Sequence, residues 1–233
     1  MDKNPGSLYI VSTPIGNLDD ITHRAIKILK TVPLVAAEDT RHSKKLLKHH
    51  KINTPMISYF EHNSLKRIPV LIDHLGSGKD LALISDAGTP GISDPAYKII
   101  RRAIENKISI IPIPGASSLL AALSSSGLPT DRFIFEGFLP PKKGRLKRLL
   151  ECKDQKATLV FFESVKRIDR TLNDMLNILG DRPAVACREI TKIHEEVFRG
   201  KISDLIRFFA DNKIKGELVI LIGKNKKNVF FQK

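Results

Sequence analysis

Apolar residues along this chain gather in short β-branched runs, separated by longer stretches in which they recur every three or four positions. That alternation is the pattern of βα units built around a largely parallel sheet. Strands are predicted at Leu8–Val11, Leu34–Ala37, Met56–Tyr59, Leu81–Ile84 and Ile108–Ile111. A helix is predicted from Asp20, with Ile21, Ala25, Ile28 and Leu29 on one face and a cap supplied between Asn17 and Asp20. After the turn-rich Gly127-Leu128-Pro129-Thr130 the pattern restarts. Further strands are predicted at Phe133–Gly137, Thr158–Phe162, Ala184–Arg188, Glu196–Arg199 and Glu217–Ile222. The fold class is therefore α/β in two lobes, a first domain over residues 1–131 and a second over 132–233. A cleft between two such lobes is a favoured place for a ligand.

With 42% apolar residues, 233 positions suffice to bury a real core. No run approaches the roughly 20 apolar residues of a membrane helix, and the opening Met1 to Ser7 lacks the apolar centre of a signal peptide. The expected location is the cytoplasm, away from any membrane. Cys152 and Cys187 stand in separate segments without Cys-x-x-Cys spacing, and no His-Glu-x-x-His occurs, so no metal site is expected. Charge changes the picture more. Lys and Arg outnumber Asp and Glu 39 to 25, mostly through the second domain, which favours a polyanionic partner.

Three turn-rich loops carry the candidate chemistry. The segment Ile84-Ser85-Asp86-Ala87-Gly88-Thr89-Pro90-Gly91-Ile92-Ser93-Asp94-Pro95 follows a predicted strand and precedes a helix. Its glycines and prolines fix a tight path that lets backbone N–H groups approach a ligand, while Asp86 and Thr89 offer polar side chains. The plainer alternative is an ordinary βα turn in which Ser93 or Asp94 caps the helix. Pro112-Ile113-Pro114-Gly115-Ala116-Ser117-Ser118 and Ser12-Thr13-Pro14-Ile15-Gly16-Asn17-Leu18 also follow strands. Loops at the carboxyl ends of strands in one open sheet converge at a topological switch point. None has the Gly-x-Gly-x-x-Gly fingerprint, and Gly76-Ser77-Gly78-Lys79 lacks the rest of a P-loop, which speaks against nicotinamide and nucleoside triphosphate cofactors.

The stretch from Leu139 to Leu150 concentrates Lys142, Lys143, Arg145, Lys147 and Arg148 beside a Pro-Pro bend. It reads as a phosphate-contacting patch, with Leu146, Leu149 and Leu150 anchoring a helix and Lys143, Lys147 and Arg148 facing outward. A solvated amphipathic face is the alternative.

Several segments in collinear order carry a resemblance. They are Leu8 to Leu18, Ala37-Glu38-Asp39-Thr40-Arg41, Ser85-Asp86-Ala87-Gly88-Thr89-Pro90, Asp131-Arg132-Phe133, Glu136-Gly137-Phe138-Leu139-Pro140, Arg188-Glu189-Ile190-Thr191-Lys192 and Lys215-Gly216-Glu217. From about Leu8 to Ile222 the chain resembles the tetrapyrrole-methylase-fold methyltransferases. Within them it is most similar to the branch that methylates a ribose 2′-hydroxyl of small-subunit ribosomal RNA. The resemblance implies S-adenosylmethionine folded between the lobes. Pro14, Ala87, Gly88, Thr89, Ile92, Ser117 and Ser118 would contact it from the first lobe, and Phe162, Arg188 and Glu217 from the second. It also implies a homodimer, and as substrate a cytidine at the decoding centre of 16S ribosomal RNA, naked or in the assembled small subunit.

A ribose hydroxyl is a poor nucleophile, so a general base is expected near it. Glu38, Asp39 and Arg41 follow the second predicted strand, and Glu189 and Lys192 occupy an equivalent place in the second lobe. Ion pairing of Glu38 with Arg41, or of Glu189 with Lys192, across the domain interface is the structural alternative. Two other readings compete: a methyltransferase of the same fold acting on a tetrapyrrole, and a non-catalytic RNA-binding assembly factor. The basic segment weighs against the first and the three ligand loops against the second.

Overall fold

A computed structural model describes residues 4–212, 214–224 and 226–231. The chain divides into two compact units, the first ending at Ser117 and the second beginning at Ser118. Strands β1 (Leu8–Val11), β2 (Val35–Ala37), β3 (Met56–Ser58), β4 (Leu81–Ile84) and β5 (Ile110–Ile113) form one sheet in the order β3-β2-β4-β1-β5. All its pairings are parallel. The connections carry α1 (His23–Thr31), α2 (Thr40–His49), α3 (Ser64–Gly76) and α4 (Ala96–Glu105).

Helices on both faces explain why β4 reads as the unbroken apolar run Leu81-Ala82-Leu83-Ile84. Leu81 and Leu83 pack with Leu71 and Leu75 of α3 and with Ile99 and Ala103 of α4. Ala82 and Ile84 point the other way, toward Ala25 and Leu29 of α1 and Leu47 of α2.

The second unit holds α5 (Ser118–Ser126), β6 (Phe133–Phe138), α6 (Arg145–Cys152), β7 (Thr158–Ser164), α7 (Ile168–Leu179), β8 (Pro183–Arg188), β9 (Glu196–Lys201), α8 (Ile202–Asp211) and β10 (Glu217–Ile222). Its sheet runs β6-β7-β10-β8-β9. Only β6 and β7 pair in parallel; the other three pairings are antiparallel. The expectation of a largely parallel sheet thus applies to the first unit alone, since an apolar run fixes burial and not strand direction.

Three local expectations also shift. Helix α5 packs Ala122 and Leu123 against Val160, Val185, Cys187, Val219 and Leu221 of the second sheet, and Arg199 donates to the Ser125 and Ser126 carbonyls. The division therefore falls before α5 and not at 131/132. The predicted first helix is a 3₁₀ turn, Leu18–Asp20, followed by α1 from His23. Asn17 caps the turn by accepting from the Asp19 N–H, and Thr22 caps α1 by accepting from Ala25. Strand β5 begins two residues later than predicted and contains Pro112, which is tolerated because β5 lies at the sheet edge. Among the described residues, no helix is long and apolar enough to cross a membrane.

Candidate cofactor and substrate site

Strand order brings the three loops together, because β1 lies between β4 and β5. Thr13 and Gly88 exchange backbone hydrogen bonds at 2.9 and 3.0 Å, joining the first loop to the second. The Thr13 hydroxyl reaches the Ser85 carbonyl at 3.3 Å. Ser12 and Thr89 meet hydroxyl to hydroxyl at 2.8 Å, and the Thr89 hydroxyl donates onward to the Ala116 carbonyl at 3.3 Å in the third loop. A Cβ on Gly115 would lie 2.9 Å from the Ser12 Cβ, so glycine is what lets these two loops touch. Ser12 and Gly115 lie in two of the loops expected to converge, but neither is among the individual cofactor contacts expected from the sequence.

The surface these loops present is made of small groups. Ala87, Pro114 and Gly115 are exposed, Asp86, Ala116 and Ser117 are half-buried, and Pro14 and Gly88 are buried. Gly88 has φ +77°, and a Cβ there would meet Ile15 Cγ2 at 3.4 Å. Ile92 is exposed. Asp94 accepts from the Gly91 N–H through both carboxylate oxygens and from Ala96 N–H at 2.9 Å, so it closes the second loop and satisfies the start of α4. Asp94 thus fills the helix-start role that the plainer alternative assigns to it.

Glu38 and Asp39 follow β2, the neighbour of β4. Asp39 donates its N–H to Asp86 Oδ1 at 3.0 Å, and the Asp86 N–H donates to Glu38 Oε2 at 3.3 Å, a reciprocal tie between the two segments. Burial raises the Glu38 pKa above its usual value, and the nearby charges of Asp86 and Asp94 push the same way, against the lowering effect of the Asp86 N–H. Asp39 behaves oppositely. Hydrogen bonds from the Arg41 side chain and backbone hold its carboxyl down at about 2. Arg41 therefore pairs with Asp39, at 2.9 Å, and not with Glu38.

In the second unit, Glu189 and Lys192 pair at 3.0 Å, and Lys192 also reaches Glu217 at 2.8 Å. This is the ion-pairing alternative, formed within one unit. Burial opposes ionisation of Glu189, but the Glu217 N–H, Lys192 and Arg188 outweigh it and hold its pKa below the usual value. Arg188 donates to the Lys215 carbonyl at 2.9 Å and pairs with Glu196 at 3.2 Å. Phe162 packs edge-on against Phe135 and Phe138, with centroids 4.9 and 5.6 Å apart. Ser118 opens α5.

The basic segment differs from expectation at two arginines. Arg145 is 1% exposed; it donates to Asp174 Oδ2 and to the Thr171 hydroxyl, each at 2.7 Å, and Thr171 donates to Glu163 at 2.6 Å. It is an interior brace and not a phosphate contact. Arg148 pairs with Glu136 at 2.5 Å and with Glu151 at 3.7 Å. Leu149 is buried, but Leu146 and Leu150 are 53% and 55% exposed, since α6 (eight residues) buries Arg145, Leu149 and Cys152 instead. Lys142, Lys143 and Lys147 stand in solvent.

A sequence model of the Tetrapyrrole (Corrin/Porphyrin) Methylases matches residues 7–206. The chain belongs to this family. A ribosomal RNA small subunit methyltransferase I from Halalkalibacterium halodurans is 50% identical over 225 residues, covering 96% of this chain and 78% of the relative. The protein of the same name from Thermotoga maritima is 47% identical over 220 residues, covering 94% of this chain and 99% of the relative. Among solved structures, a cobalt precorrin-4 methyltransferase of cobalamin biosynthesis superposes with a TM-score of 0.69 at 21% identity, covering 93% of this chain and 94% of that one.

Tetrapyrrole methylases take their methyl group from S-adenosylmethionine, and the loops of the first unit fit that molecule. Small residues at Ala87, Gly115 and Ala116 keep the surface of these loops low, and the acidic Asp86 and Glu38 beside them suit its positive charges.

Proposed function

We propose that this chain transfers the methyl group of S-adenosylmethionine to the ribose 2′-hydroxyl of a cytidine at the decoding centre of 16S ribosomal RNA. It acts in the cytoplasm, as a homodimer, on naked RNA or on the assembled small subunit. The observation that carries this reading is the identity of 47–50%, over more than nine-tenths of the chain, to relatives named for small-subunit ribosomal RNA methylation.

The cofactor supplies a methyl group on a sulfonium whose leaving thioether is neutral, so little acid catalysis is required. The protein's share is positioning, worth many orders of magnitude when two reactants are aligned. The Ser12–Thr89–Ala116 chain and the Thr13–Gly88 pairing hold three loops as one rigid edge for the cofactor. Removing the hydroxyl proton falls to Glu38. Of the three acid candidates it alone has a raised pKa, which makes its carboxylate the strongest base, whereas Asp39 and Glu189 are held ionised by partners. Lys142, Lys143 and Lys147 supply exposed charge for phosphates.

The test is methyl transfer from labelled S-adenosylmethionine to small subunits, and to naked 16S RNA, from cells lacking this protein. Digestion to nucleosides should yield 2′-O-methylcytidine. Label found only on bases, or only on an added tetrapyrrole, would overturn the reading.

A further inference from the structure

The second unit carries a groove that none of this uses. It has a volume of about 690 Å³ and runs along α8 beside β9. Four of the chain's 11 phenylalanines line it, namely Phe198, Phe208, Phe230 and Phe231. Phe198 and Phe208 stack with centroids 4.4 Å apart, and the Lys201 ammonium sits 5.5 Å from the Phe230 ring centre. Arg199 and Arg207 also line it, but Arg199 is engaged with the Ser125 and Ser126 carbonyls and Arg207 with Asp204, so Lys201 is the cation the groove offers to a phosphate. Strand β9 is the last of its sheet among the described residues and pairs there with β8 alone, so one edge of its backbone faces away from the ladder.

We propose that this groove binds a nucleotide of single-stranded RNA, as a substrate contact separate from the cofactor loops and from the Lys142–Lys147 patch. The inference rests on the ribosomal RNA reading above. Three chemistries meet here. Aromatic rings give bases a stacking surface, the Lys201 ammonium takes the phosphate, and the β9 edge that faces away from the ladder can pair with a base edge. A peptide strand adding to β9 would use the edge and the rings but not the Lys201 ammonium; a free phosphate would use that ammonium alone. The volume is ample for a nucleotide, within the range of small-molecule sites.

The groove is also polarised. Lys201 caps the N-terminus of α8, where the helix dipole favours an anion, and Asp204 is occupied, accepting the Lys201 N–H at 2.9 Å and pairing with Arg207. Asp211 lies at the opposite end of the helix. The phosphate therefore sits at the Lys201 end and the base lies toward the rings.

The experiment measures binding of a fluorescently labelled single-stranded RNA octamer of mixed sequence to the intact chain across a salt series. Lys201→Glu, a change at an exposed side chain, should weaken binding about tenfold or more and lower the salt slope by roughly one phosphate's contribution. Phe230→Ala should weaken binding without changing the slope, because stacking releases no counterions. Affinity for S-adenosylmethionine should stay unchanged in both, which reports an intact fold. RNA affinity unmoved in both variants overturns the proposal, as does a β-strand peptide that fills the groove while RNA binds undiminished. Methylation of small subunits by the unmodified chain is read in parallel. Its absence overturns the functional reading, whereas its presence with RNA affinity insensitive to both variants overturns the groove alone.

Discussion

Ser12 and Thr89, 77 positions apart in sequence, meet through their hydroxyls at 2.8 Å and lock the loop after β1 to the loop after β4. Losing one neutral hydrogen bond costs about 0.5–1.5 kcal/mol. Thr89→Val keeps the shape and removes the bond, as well as the link to Ala116. S-adenosylmethionine should bind roughly threefold to tenfold more weakly by calorimetry, with RNA affinity unaltered. Equal cofactor affinity would show that this lock does not shape the site.

Gly88→Ala separates backbone strain from ligand contact. The new methyl group has room, 3.4 Å from Ile15, but φ +77° is unfavourable for alanine. The strain is about 1–2 kcal/mol, a fall in melting temperature of a few degrees for a chain of this length. A loss of cofactor affinity well beyond that strain is expected, because the methyl presses on Ile15 and on the Ala116 carbonyl and so shifts the loops that frame the proposed cofactor surface. A variant that is less stable yet binds the cofactor normally contradicts that placement.

The sequence made the alternation of strands and helices legible, together with the three loops, because burial and turn chemistry are local. Strand direction was not legible. Nor was the fate of Arg145, which reads as one more cation in Lys142–Arg148 until α7 places Thr171 and Asp174 against it. The same limit applies to Glu189 and Lys192: their spacing suits catalysis and ion pairing equally, and only the position of Glu217 on β10 shows Lys192 bridging two acids. Helix α5 follows a first-unit loop yet packs on the second sheet, a contact made by residues distant in sequence.

The two kinds of cation in the basic segment should therefore respond differently. Replacing Lys142, Lys143 and Lys147 by Gln should leave the melting temperature nearly unchanged and flatten the salt dependence of RNA binding, by up to about three phosphates' worth. Arg145→Ala should instead destabilise the fold by about 3 kcal/mol or more, since it removes the buried guanidinium that joins Asp174 to Thr171. Thermal unfolding and salt titration of both variants check this; a salt-slope change in a stably folded Arg145→Ala chain would contradict it.

Glu38 gives a stability signature with a definite sign. Its folded pKa lies above the unfolded value of 4.5, so the folded chain binds more protons there and loses stability as pH rises from the unfolded to the folded pKa. Glu38→Gln removes this loss. The variant should melt higher than the unmodified chain at pH 8 and show no advantage at pH 4. It should also lose about a hundredfold or more in single-turnover methylation with RNA affinity unchanged, as expected of a general base. Normal turnover with the stability shift present would make Glu38 a half-buried acid without a catalytic part.

The central claim is ribose methylation of small-subunit ribosomal RNA, and a map of 2′-O-methyl groups in that RNA tests it most directly. The map is made from cells with the gene, without it, and with a Glu38→Gln copy. The account predicts that one methylated cytidine at the decoding centre is present in the first, absent in the second and strongly depleted in the third. Maps that coincide in all three would contradict it.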